Sequence, residues 1–409
     1  MSKKKVERNL LVALDIGTSK VVVLVGEMTS DKEIQVIGIG SHPSKGLKKG
    51  VVVNIEATVQ SIQRAVEEAE LMAGCEIHSA YTGIAGSHIR SLNSHGIVAI
   101  QNNEVDHDDV ERVIDAAKAV AIPADQKILH ILPQEFIIDS QDGIKEPIGM
   151  SGVRLEAKVH LITGAMSAAQ NIIKCVKRCG LEVSDIILEQ LASSYSVLTE
   201  DEKELGVCLI DIGGGTTDLA VFVDGAILHT AVIPIAGDQV TNDIAVALRT
   251  PTQYAEKLKL EYGCALTKLA DNKESIEVRS PGDRQGKQAS VRTLAEVIEA
   301  RYEELLKLVA TELRRSGLED GIAAGVVLTG GGSQVRGLAQ LAEQTLAMPV
   351  RVGYPVNVKG LNNELKSPVY ATAVGLLLYG MQQQQDPQHS RRKGVSLFSR
   401  MKSWFQSNL

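Results

Sequence analysis

The sequence predicts an α/β protein made of two similar lobes around a shared cleft. The segments "LLVALDIGTSKVVVLVGEM" (10–28) and "GVCLIDIGGGTTDLAVFVDG" (206–225) share one pattern: an apolar strand, Asp-Ile-Gly, small or hydroxyl residues, and a second apolar strand. Each segment continues into further β-rich sequence, and internal similarity of this kind predicts two homologous halves. The chain has 409 residues, of which 44% are hydrophobic, so it is long enough to give each half its own core.

The turn of the second hairpin contains three consecutive glycines, at 213–215, followed by two threonines. A tight hairpin turn needs only one or two glycines. Further glycines leave backbone N–H groups unshielded, so that a phosphate can approach the main chain, and threonine hydroxyls add donors. Asp211 could orient a metal ion or a water. A plain glycine hairpin explains this stretch equally well on its own, but two facing hairpins could hold one phosphate chain from both sides.

A third glycine loop, "GVVLTGGGSQVRGL" (325–338), has a β-branched strand before it and a helical pattern after it. A Gly-rich turn at a helix N-terminus suits a nucleoside or a phosphate. Close packing of a strand against a helix is the other interpretation. None of the three loops matches G-x-x-x-x-G-K-[ST] or G-x-G-x-x-G, so the sequence does not support a Walker site or a dinucleotide site.

The paired Asp-Ile-Gly hairpins and the later Thr-Gly-Gly-Gly loop together resemble the phosphate-1, phosphate-2 and adenosine motifs of the actin, Hsp70 and sugar-kinase ATPase superfamily. Two segments, "ILEQLASSYSVL" (187–198) and "SPVYATAVGLLLYG" (367–380), resemble its connecting helices. The resemblance spans residues 10–380. It implies an actin-like ATPase fold whose two lobes bind ATP and Mg²⁺ in the cleft between them.

This resemblance assigns roles to individual residues. Asp15 and Asp211 correspond to residues that orient Mg²⁺ and water, and Asp211 is expected to be catalytic together with Glu189. Glu256 and Lys259 are similar to the adenine-side E-x-x-K pattern, although an exposed charged helix face explains them equally well. Besides Asp15, Glu256 and Lys259, the expected nucleotide contacts are Gly17, Thr18, Lys20, Gly213, Gly214, Gly215, Thr216, Thr217, Gly330, Gly331 and Gly332.

The start of the first connecting helix bears on hydrolysis. In bacterial actins a glutamate at this place helps position the attacking water, and Glu189 is placed like it. Gln190 follows, where those proteins usually have proline. We therefore expect ATP binding with at most weak hydrolysis.

Two other functions are compatible with this superfamily. A small-molecule kinase or ATPase of the same fold would need a second-substrate pocket with a base, and the sequence has no motif for one. An Hsp70-type chaperone would need a peptide-binding domain, for which residues 381–409 are too few.

The stretch between the two parts of the first half predicts a small independent α/β module. It contains the strand "SHGIVAI", the amphipathic helix "DHDDVERVIDAAKAVA" and the strands in "ILHILPQEFIID". Asp106, Asp108 and Asp109 are the expected N-capping acids of that helix.

Charge and composition limit the class of protein. The net charge of −7 argues against a general nucleic-acid binder, and the five cysteines include no C-x-x-C pair, which is typical of a reducing compartment. Asp15 interrupts the first apolar run, so a signal peptide is not expected. No run of about 18 apolar residues is present, so we expect no transmembrane helix.

The C-terminal tail has a different composition from the core. "MQQQQDPQHS" is a low-complexity polar stretch and predicts a linker. The residues after it form a helical wheel with basic flanks and one apolar face, which suits the interface of an anionic membrane. A helix docked on its own domain and a partner-binding helix are the alternatives. The apolar face consists of Val395, Leu397, Phe398, Met401, Trp404, Phe405 and Leu409.

An actin-like core with an inserted module and such a tail resembles the FtsA family, bacterial division proteins that anchor the tubulin-like FtsZ ring. "DIGTSKV", "SGVRLEAKVHLITG", "LASSYSVLTEDEKELGV", "DIGGGTTD" and "TLAEVIEARYEEL" carry this resemblance. The predicted subdomains are 1A (1–83, 163–197 and 368–381), 1C (84–162), 2A (198–236 and 305–367) and 2B (237–304), then a linker (382–393) and a membrane-targeting helix (394–409).

The family resemblance also implies partners and location. It implies head-to-tail filaments at the division septum, peripheral on the cytoplasmic face of the inner membrane and held there by anionic lipids, with ATP favouring assembly. The inserted module would meet neighbouring protomers and late division proteins such as FtsN. The FtsZ C-terminal peptide would dock around the "EARYEEL" helix, where we carry over Arg301 and Glu304. A solvated charged helix is the alternative interpretation of those two residues.

Overall fold

The chain folds into two similar α/β lobes, and the first lobe carries an inserted module. The computed structural model describes residues 9–31, 33–271, 275–280, 282, 286–360 and 364–385. The first lobe begins with β1 (Leu10–Ile16), β2 (Lys20–Met28), β3 (Ile34–Pro43), β4 (Leu47–Lys48), β5 (Val51–Val52), α1 (Ile55–Ala73) and β6 (Ser79–Ile84). The module follows with β7 (Arg90–Ala99), α2 (His107–Lys118), β8 (Gln126–Ile138), β9 (Gln141–Ile144) and β10 (Arg154–Ala165).

The chain then returns to the first lobe and continues into the second. The returning elements are α3 (Met166–Arg178), β11 (Glu182–Leu188), α4 (Glu189–Val197) and α5 (Glu200–Leu205). The second lobe contains β12 (Val207–Ile212), β13 (Thr217–Val223), β14 (Ala226–Ile233), α6 (Gly237–Leu248), α7 (Thr252–Tyr262), β15 (Ser275–Val278), β16 (Lys287–Ser290), α8 (Val291–Ser316), β17 (Gly325–Thr329), α9 (Leu338–Leu346) and β18 (Val350–Val352). The last elements are β19 (Val358–Lys359) and α10 (Ala371–Gln385).

The two lobes have sheets of the same construction. The first sheet has the order β3-β2-β1-β6-β11, with β19 added beside β3, and the second has the order β14-β13-β12-β17-β18. In both sheets the first three strands are antiparallel and the later ones run parallel to the central strand. This equivalence confirms the two homologous halves. It also places the loops after β1, β6, β12 and β17 at the carboxyl ends of their strands, where ligands bind in open α/β sheets.

Helices cover both faces of the first sheet, and this explains its continuous apolar strands. β1 and β2 are buried along nearly their whole length, because α1 packs against β2 and β3 while α10 packs against β1 and β2. A strand buried on both faces needs no alternation of polar and apolar residues. α1 approaches closely enough that a Cβ on Gly40 would overlap the carbonyl oxygen of Ala65.

The inserted module is a four-stranded antiparallel sheet, in the order β7-β10-β8-β9, with α2 packed on it. The predicted capping acids are confirmed at the start of α2. The backbone N–H of Asp109 donates to Asp106 Oδ1 at 2.8 Å, and the N–H of Asp106 donates to Asp109 Oδ2 at 3.2 Å. Asp108 lies in the first turn, where its charge favours the helix N-terminus.

The module contacts the second lobe through a set of polar bonds that we call the seam. Its residues come from β7, β8, β10 and the segment after β9, and their partners lie on β14 and the turn before it. The bonds run from Ser91 Oγ to the Thr230 carbonyl (3.0 Å), from Asn93 Nδ2 to the Leu228 carbonyl (3.2 Å), from Gln134 Nε2 to the Ile227 carbonyl (3.0 Å) and from Lys145 Nζ to the Asp224 carbonyl (2.6 Å). The module therefore covers the open edge of the second sheet.

The helices α4 and α10 cross at very short range, since a Cβ on Gly375 would overlap the carbonyl oxygen of Ala192. α10 continues to Gln385, so the expectation that the linker begins at residue 382 is wrong by four residues. Glutamine has a good helix propensity, which lets the helix continue past its buried part. The rest of the predicted linker and the predicted amphipathic helix lie outside the described residues. Within the described ranges, no helix is long and apolar enough to cross a bilayer.

His160 belongs to the seam, and its protonation makes the stability of the folded chain depend on pH. The ring is buried and bonds through Nδ1 to Asn93 Oδ1 at 2.6 Å and through Nε2 to Thr230 Oγ1 at 3.0 Å. Burial, with a smaller contribution from His229, lowers the pKa of His160 to about 4. The unfolded chain takes up a proton near pH 6.5, whereas the folded chain does not until the pH is much lower.

We predict that the free energy of unfolding falls by about 2 kcal/mol between about pH 7 and about pH 5 through His160 alone. Urea unfolding of the wild-type chain and of His160→Gln at both pH values measures this, because the variant should lack that part of the loss. His78→Gln, at an exposed histidine, is the control and should behave like the wild type. If the free energy of unfolding fell by the same amount in the wild type and in His160→Gln, the prediction would be wrong.

Candidate functional site

A cleft of about 1060 Å³ lies between the lobes at the carboxyl ends of the central strands. The β1–β2 loop, the β12–β13 loop and the loop after β17 all contribute to its walls, so the structure brings the three glycine loops of the sequence together. The lining residues include all but one of the predicted site residues of the cleft: Asp15, Gly17, Thr18, Lys20, Glu189, Asp211, Gly213, Gly214, Gly215, Thr216, Glu256, Lys259, Gly330, Gly331 and Gly332.

The glycines of the second hairpin provide space for the facing loop. A Cβ on Gly214 would overlap Ser19 Oγ, and a Cβ on Gly215 would lie 2.6 Å from Thr18 Oγ1 and 2.9 Å from Lys49 Cα. These glycines do not have positive φ, so the turn conformation does not require them. The bare backbone of the second hairpin thus touches the Ser19 and Thr18 side chains of the first hairpin, and the cleft is the space beside this contact.

Thr217 is the predicted nucleotide contact that the structure does not place in the cleft. It pairs with Ile212 in the hairpin, is fully buried, and donates from Oγ1 to the Ile235 carbonyl at 2.8 Å. Successive side chains of a strand point to opposite faces, so only one of the two threonines can face the cleft. Thr216 faces it and donates to Asp218 Oδ2 at 2.9 Å.

Buried carboxylates line the floor of the cleft, and their charges raise one another's pKa. Burial raises the pKa of Asp15 to about 7, against the effect of Lys20 and with a contribution from Asp211. Burial and the charge of Asp211 raise the pKa of Asp218 to about 7, although the bond from Thr216 acts in the opposite direction. The pKa of Glu189 is raised well above its ordinary value by burial and then by its carboxylate neighbours. Such a cluster favours a bound cation.

Asp218 was not among the predicted site residues. The sequence did contain a signal for it, because the same hairpin that presents Asp211 pairs that residue directly with Asp218. In the hairpin register, Ile212 pairs with Thr217 across the glycine turn, and the next pair outward is Asp211 with Asp218.

The two connecting helices hold Asp211 in place. Ser193 of α4 donates from Oγ to Asp211 Oδ2 at 2.6 Å, and Thr372 of α10 reaches the same oxygen at 3.4 Å. Burial raises the pKa of Asp211, while these two hydroxyls lower it. Both partners were missed in the sequence because no motif marks them; they reach Asp211 only because the helices cross beside β12.

Lys20 is the cation nearest to these carboxylates. Its Nζ lies 4.4 Å from the centre of the Tyr370 ring, which is a cation–π distance. Burial lowers the pKa of Lys20 to about 8, whereas Asp15 raises it. The lysine is therefore held at the strand end by an aromatic face and a carboxylate.

The second end of the cleft is built around the predicted pair on α7. Lys259 Nζ lies 2.8 Å from Glu256 Oε2 and donates to Thr241 Oγ1 at 2.8 Å and to the Gly237 carbonyl at 3.1 Å. The Lys259 side chain is only 10% exposed, so the exposed helix face considered above does not describe it. Tyr302, also missed in the sequence, closes this end and donates to the Gly332 carbonyl at 3.1 Å.

The donor set fits a hydrated Mg²⁺. Among the described residues, no group of three or more His, Cys, Asp or Glu side chains converges closely enough to hold a metal by itself. Mg²⁺ usually keeps several waters and takes one or two carboxylates together with substrate phosphates. Asp218 Oδ1 is buried and has no hydrogen-bond partner in the described part of the chain, as expected for an oxygen that faces such an ion. Asp15, Asp211 and Asp218 line the cleft here, and one or two of them could supply the carboxylate ligands of such a hydrated ion.

Two lobes of equivalent topology with paired glycine hairpins at a common cleft define the class of actin-like ATPase folds. Solved structures agree. The PilM–PilN type IV pilus biogenesis complex aligns over 91% of this chain and 99% of that chain, with a TM-score of 0.67 and 18% identity. MreB5 of Spiroplasma citri bound to AMPPNP aligns over 93% of this chain and 98% of that chain, with a TM-score of 0.56 and 16% identity.

The chain belongs to the FtsA family of cell division proteins. The family model "Cell division protein FtsA" matches residues 208–375, and the model "SHS2 domain inserted in FTSA" matches residues 86–163, which is the inserted module. FtsA of Pseudomonas aeruginosa is 65% identical over 408 residues, covering 98% of each chain. FtsA of Escherichia coli K12 is 48% identical over 415 residues, covering 98% of this chain and 99% of the relative.

Because a Cβ would meet different atoms at Gly213, Gly214 and Gly215, we predict that alanine at these three positions lowers the stability of the chain by different amounts. Gly215→Ala places its Cβ against the backbone of Lys49 and should destabilise the nucleotide-free chain by about 1–3 kcal/mol. Gly214→Ala meets Ser19 Oγ, which can rotate away, so it should cost less. Gly213→Ala, whose Cβ would meet only the Thr216 carbonyl at 3.2 Å, should be nearly neutral.

Urea unfolding of the three variants without nucleotide measures this order, and adding Ser19→Gly to Gly214→Ala should recover the lost stability. If the three glycines served only to admit a phosphate, none of the three variants would be destabilised in the absence of nucleotide.

Proposed function

We propose that this chain binds ATP with Mg²⁺ in the cleft, polymerises head to tail on the cytoplasmic face of the inner membrane, and anchors the FtsZ ring during bacterial cell division. The observation that carries the proposal is that the glycine hairpins of both lobes and the Gly330 loop line one cleft. Membership of the FtsA family supports the cellular role.

The parts of the cleft suit different parts of the nucleotide. The backbone N–H groups of the two hairpins and the Thr18 hydroxyl supply donors for phosphates, as phosphate-binding glycine loops do, while the Thr216 hydroxyl is used by Asp218. Lys20 adds a positive charge beside Asp15, and Asp211 is oriented by the two connecting helices. The far end, with Lys259 and Tyr302, is left for the nucleoside.

The environment of Glu189 supports weak hydrolysis. In the nucleotide-free cleft its pKa is raised by burial and by the neighbouring carboxylates, which weakens it as an acceptor of a proton from water. Gln190 is buried, and its amide has no hydrogen-bond partner among the described residues, so it does not orient the Glu189 carboxyl. When bound, Mg²⁺ would supply positive charge that stabilises the ionised carboxylates and the phosphates. The chain's own groups then chiefly bind and orient the nucleotide.

We predict that Asp211→Asn weakens Mg²⁺-dependent ATP binding by about 10-fold or more, because it removes a charged oxygen while keeping an acceptor for Ser193. Titration of fluorescent ATP with and without Mg²⁺ measures the effect, and Asp201→Asn, which does not line the cleft, is the control. Equal affinity of Asp211→Asn and wild type in the presence of Mg²⁺ would argue against the metal assignment. A robust turnover of common sugars or acids would instead favour a kinase.

For the FtsZ C-terminal peptide we propose the exposed face of α8 around Arg301 and Glu304. Arg301 already pairs with Asp243 of α6, with Nη2 3.1 Å from Asp243 Oδ1, and with Glu304 itself. The side chain of Arg301 is 24% exposed and that of Glu304 is 52% exposed. Glu304 is therefore more accessible to a peptide than Arg301, whose guanidinium is already paired with two carboxylates.

The membrane and assembly roles rest on sequence and family. We propose that residues 394–409 bind anionic lipids of the inner membrane at the division septum as an amphipathic helix. We further propose that the inserted module contacts neighbouring protomers and later division proteins such as FtsN. α10 ends at Gln385, so a short segment separates the folded core from the lipid-binding residues.

We predict that the full chain sediments with anionic vesicles in a salt-sensitive way, while a chain ending after Gln385, which keeps all of α10, stays in solution. Trp404→Glu should release the full chain, because it removes apolar burial worth roughly 2–3 kcal/mol and adds a negative charge. Gln406→Glu adds the same charge on the polar face and should have a much smaller effect. Equal sedimentation of the full and shortened chains would rule out the anchor.

Electron microscopy on lipid monolayers, with and without ATP, tests filament formation by the same full chain. Filaments that form in the presence of ATP and lipid support the proposal. Nucleotide binding without any polymer under these conditions would leave a monomeric ATP-binding protein as the better description.

A further inference from the structure

A short hairpin, which we call the strap (residues 44–53), lies at the phosphate end of the cleft. It contains β4 and β5, and its turn is formed by Lys49 and Gly50. Both turn residues have positive φ, 51° at Lys49 and 75° at Gly50. Hairpin turns of this kind prefer Asn-Gly, because a residue with a long side chain is strained at positive φ. The presence of a lysine at this position is therefore not explained by the turn.

The turn of the strap touches both lobes at the point where their hairpins meet. The backbone N–H of Gly50 donates to Thr18 Oγ1 at 3.0 Å, and Gly50 lines the cleft. On the other side, the backbone of Lys49 packs against the backbone of Gly215. A Cβ on Gly215 would lie only 2.9 Å from Lys49 Cα. Because the Thr18 oxygen accepts from Gly50, its own hydrogen is free to be donated into the cleft.

The charges in the cleft leave the phosphate end short of cations. The described lining has three basic residues, Lys20, Lys259 and Arg336, against eight acidic ones, Asp15, Glu189, Asp211, Asp218, Asp238, Glu256, Glu261 and Asp271. Lys259 is paired with Glu256 at the nucleoside end, and Lys20 is close to Asp15. A triphosphate and the carboxylates of the cleft together carry more negative charge than Lys20 and one Mg²⁺ neutralise, so a further cation near the hairpins would strengthen binding.

Lys49 is positioned to supply that cation. Its side chain is exposed, and within the described ranges its ammonium has neither an ion-pair partner nor a hydrogen-bond partner. Its Cα lies against Gly215, and a lysine carries its charge on a flexible four-carbon stem with three donors. Because Gly215 lines the cleft, rotation about the side-chain bonds of Lys49 can bring its ammonium toward the cleft.

We propose that the Lys49 ammonium donates to the terminal phosphate of a bound nucleoside triphosphate, so that the strap distinguishes a triphosphate from a diphosphate. The inference rests on the proposed function, because it requires that the cleft binds ATP. A diphosphate ends one phosphate short of this contact and gains nothing from it.

The test compares ATP and ADP affinities of the full chain by displacement of a fluorescent ADP analogue. Lys49→Asn removes the ammonium and keeps a residue that tolerates positive φ, so the strap should fold as before. Lys48→Asn makes the same change one residue earlier, on β4, and is the matched control. We expect Lys49→Asn to weaken ATP binding by about 10-fold and ADP binding by less than about 2-fold, as for the loss of one charged hydrogen bond. Lys48→Asn should change neither.

Other outcomes overturn the inference. An equal loss for ATP and ADP, no loss for either, or the same loss in Lys48→Asn would exclude a specific contact with the terminal phosphate. If the wild-type chain binds ATP and Lys49→Asn behaves like it, only this inference fails. If the wild-type chain binds neither nucleotide, the proposed function fails and this inference fails with it.

Discussion

The contact between the glycine backbone of the second hairpin and the Thr18 and Ser19 side chains of the first is the constraint on which the rest of the site depends. Gly214 and Gly215 lie against Ser19, Thr18 and Lys49 at distances that leave no room for a Cβ. Two sheets of equivalent order bring the hairpins to this point from opposite sides. Because the lobes already touch here, the hairpins bound one end of the cleft, and Tyr302 bounds the other.

The charge of the cleft is coupled to the packing of the helices that join the lobes. Buried carboxylates repel one another, and Asp211 is the one held by hydroxyls from both α4 and α10. The crossing of those helices is fixed by the absence of a side chain at Gly375, so neither helix can move far without moving Ser193 or Thr372. A change in the charge of Asp211 is therefore felt directly by both connecting helices, through Ser193 and Thr372.

The sequence predicts the features that depend on local pattern. It does not predict those that depend on contacts between residues far apart in the chain. Apolar runs and glycine loops were enough to find both halves and the module, and the superfamily resemblance was needed to assign residues such as Glu189 and Lys259 to the cleft. Thr217 was assigned to the wrong face because the pleat of β13 was not considered. Asp218 needed the register of the hairpin, and the approach of the strap to Gly215 needed the full tertiary fold. The helix that ends at Gln385 could not be delimited, since its glutamines suit a helix and a linker alike.

The seam makes the inserted module a second connection between the lobes. The module is part of the first lobe in the chain, yet its side chains bond to backbone carbonyls of β14 and the turn before it in the second lobe. Each such bond contributes about 0.5–1.5 kcal/mol net, so together they are worth a few kcal/mol. Rotation of the lobes about α4 and α10 has to break the seam or turn the module with the second lobe. Where the seam holds during such a rotation, the exposed surface of the module changes its orientation to the first lobe.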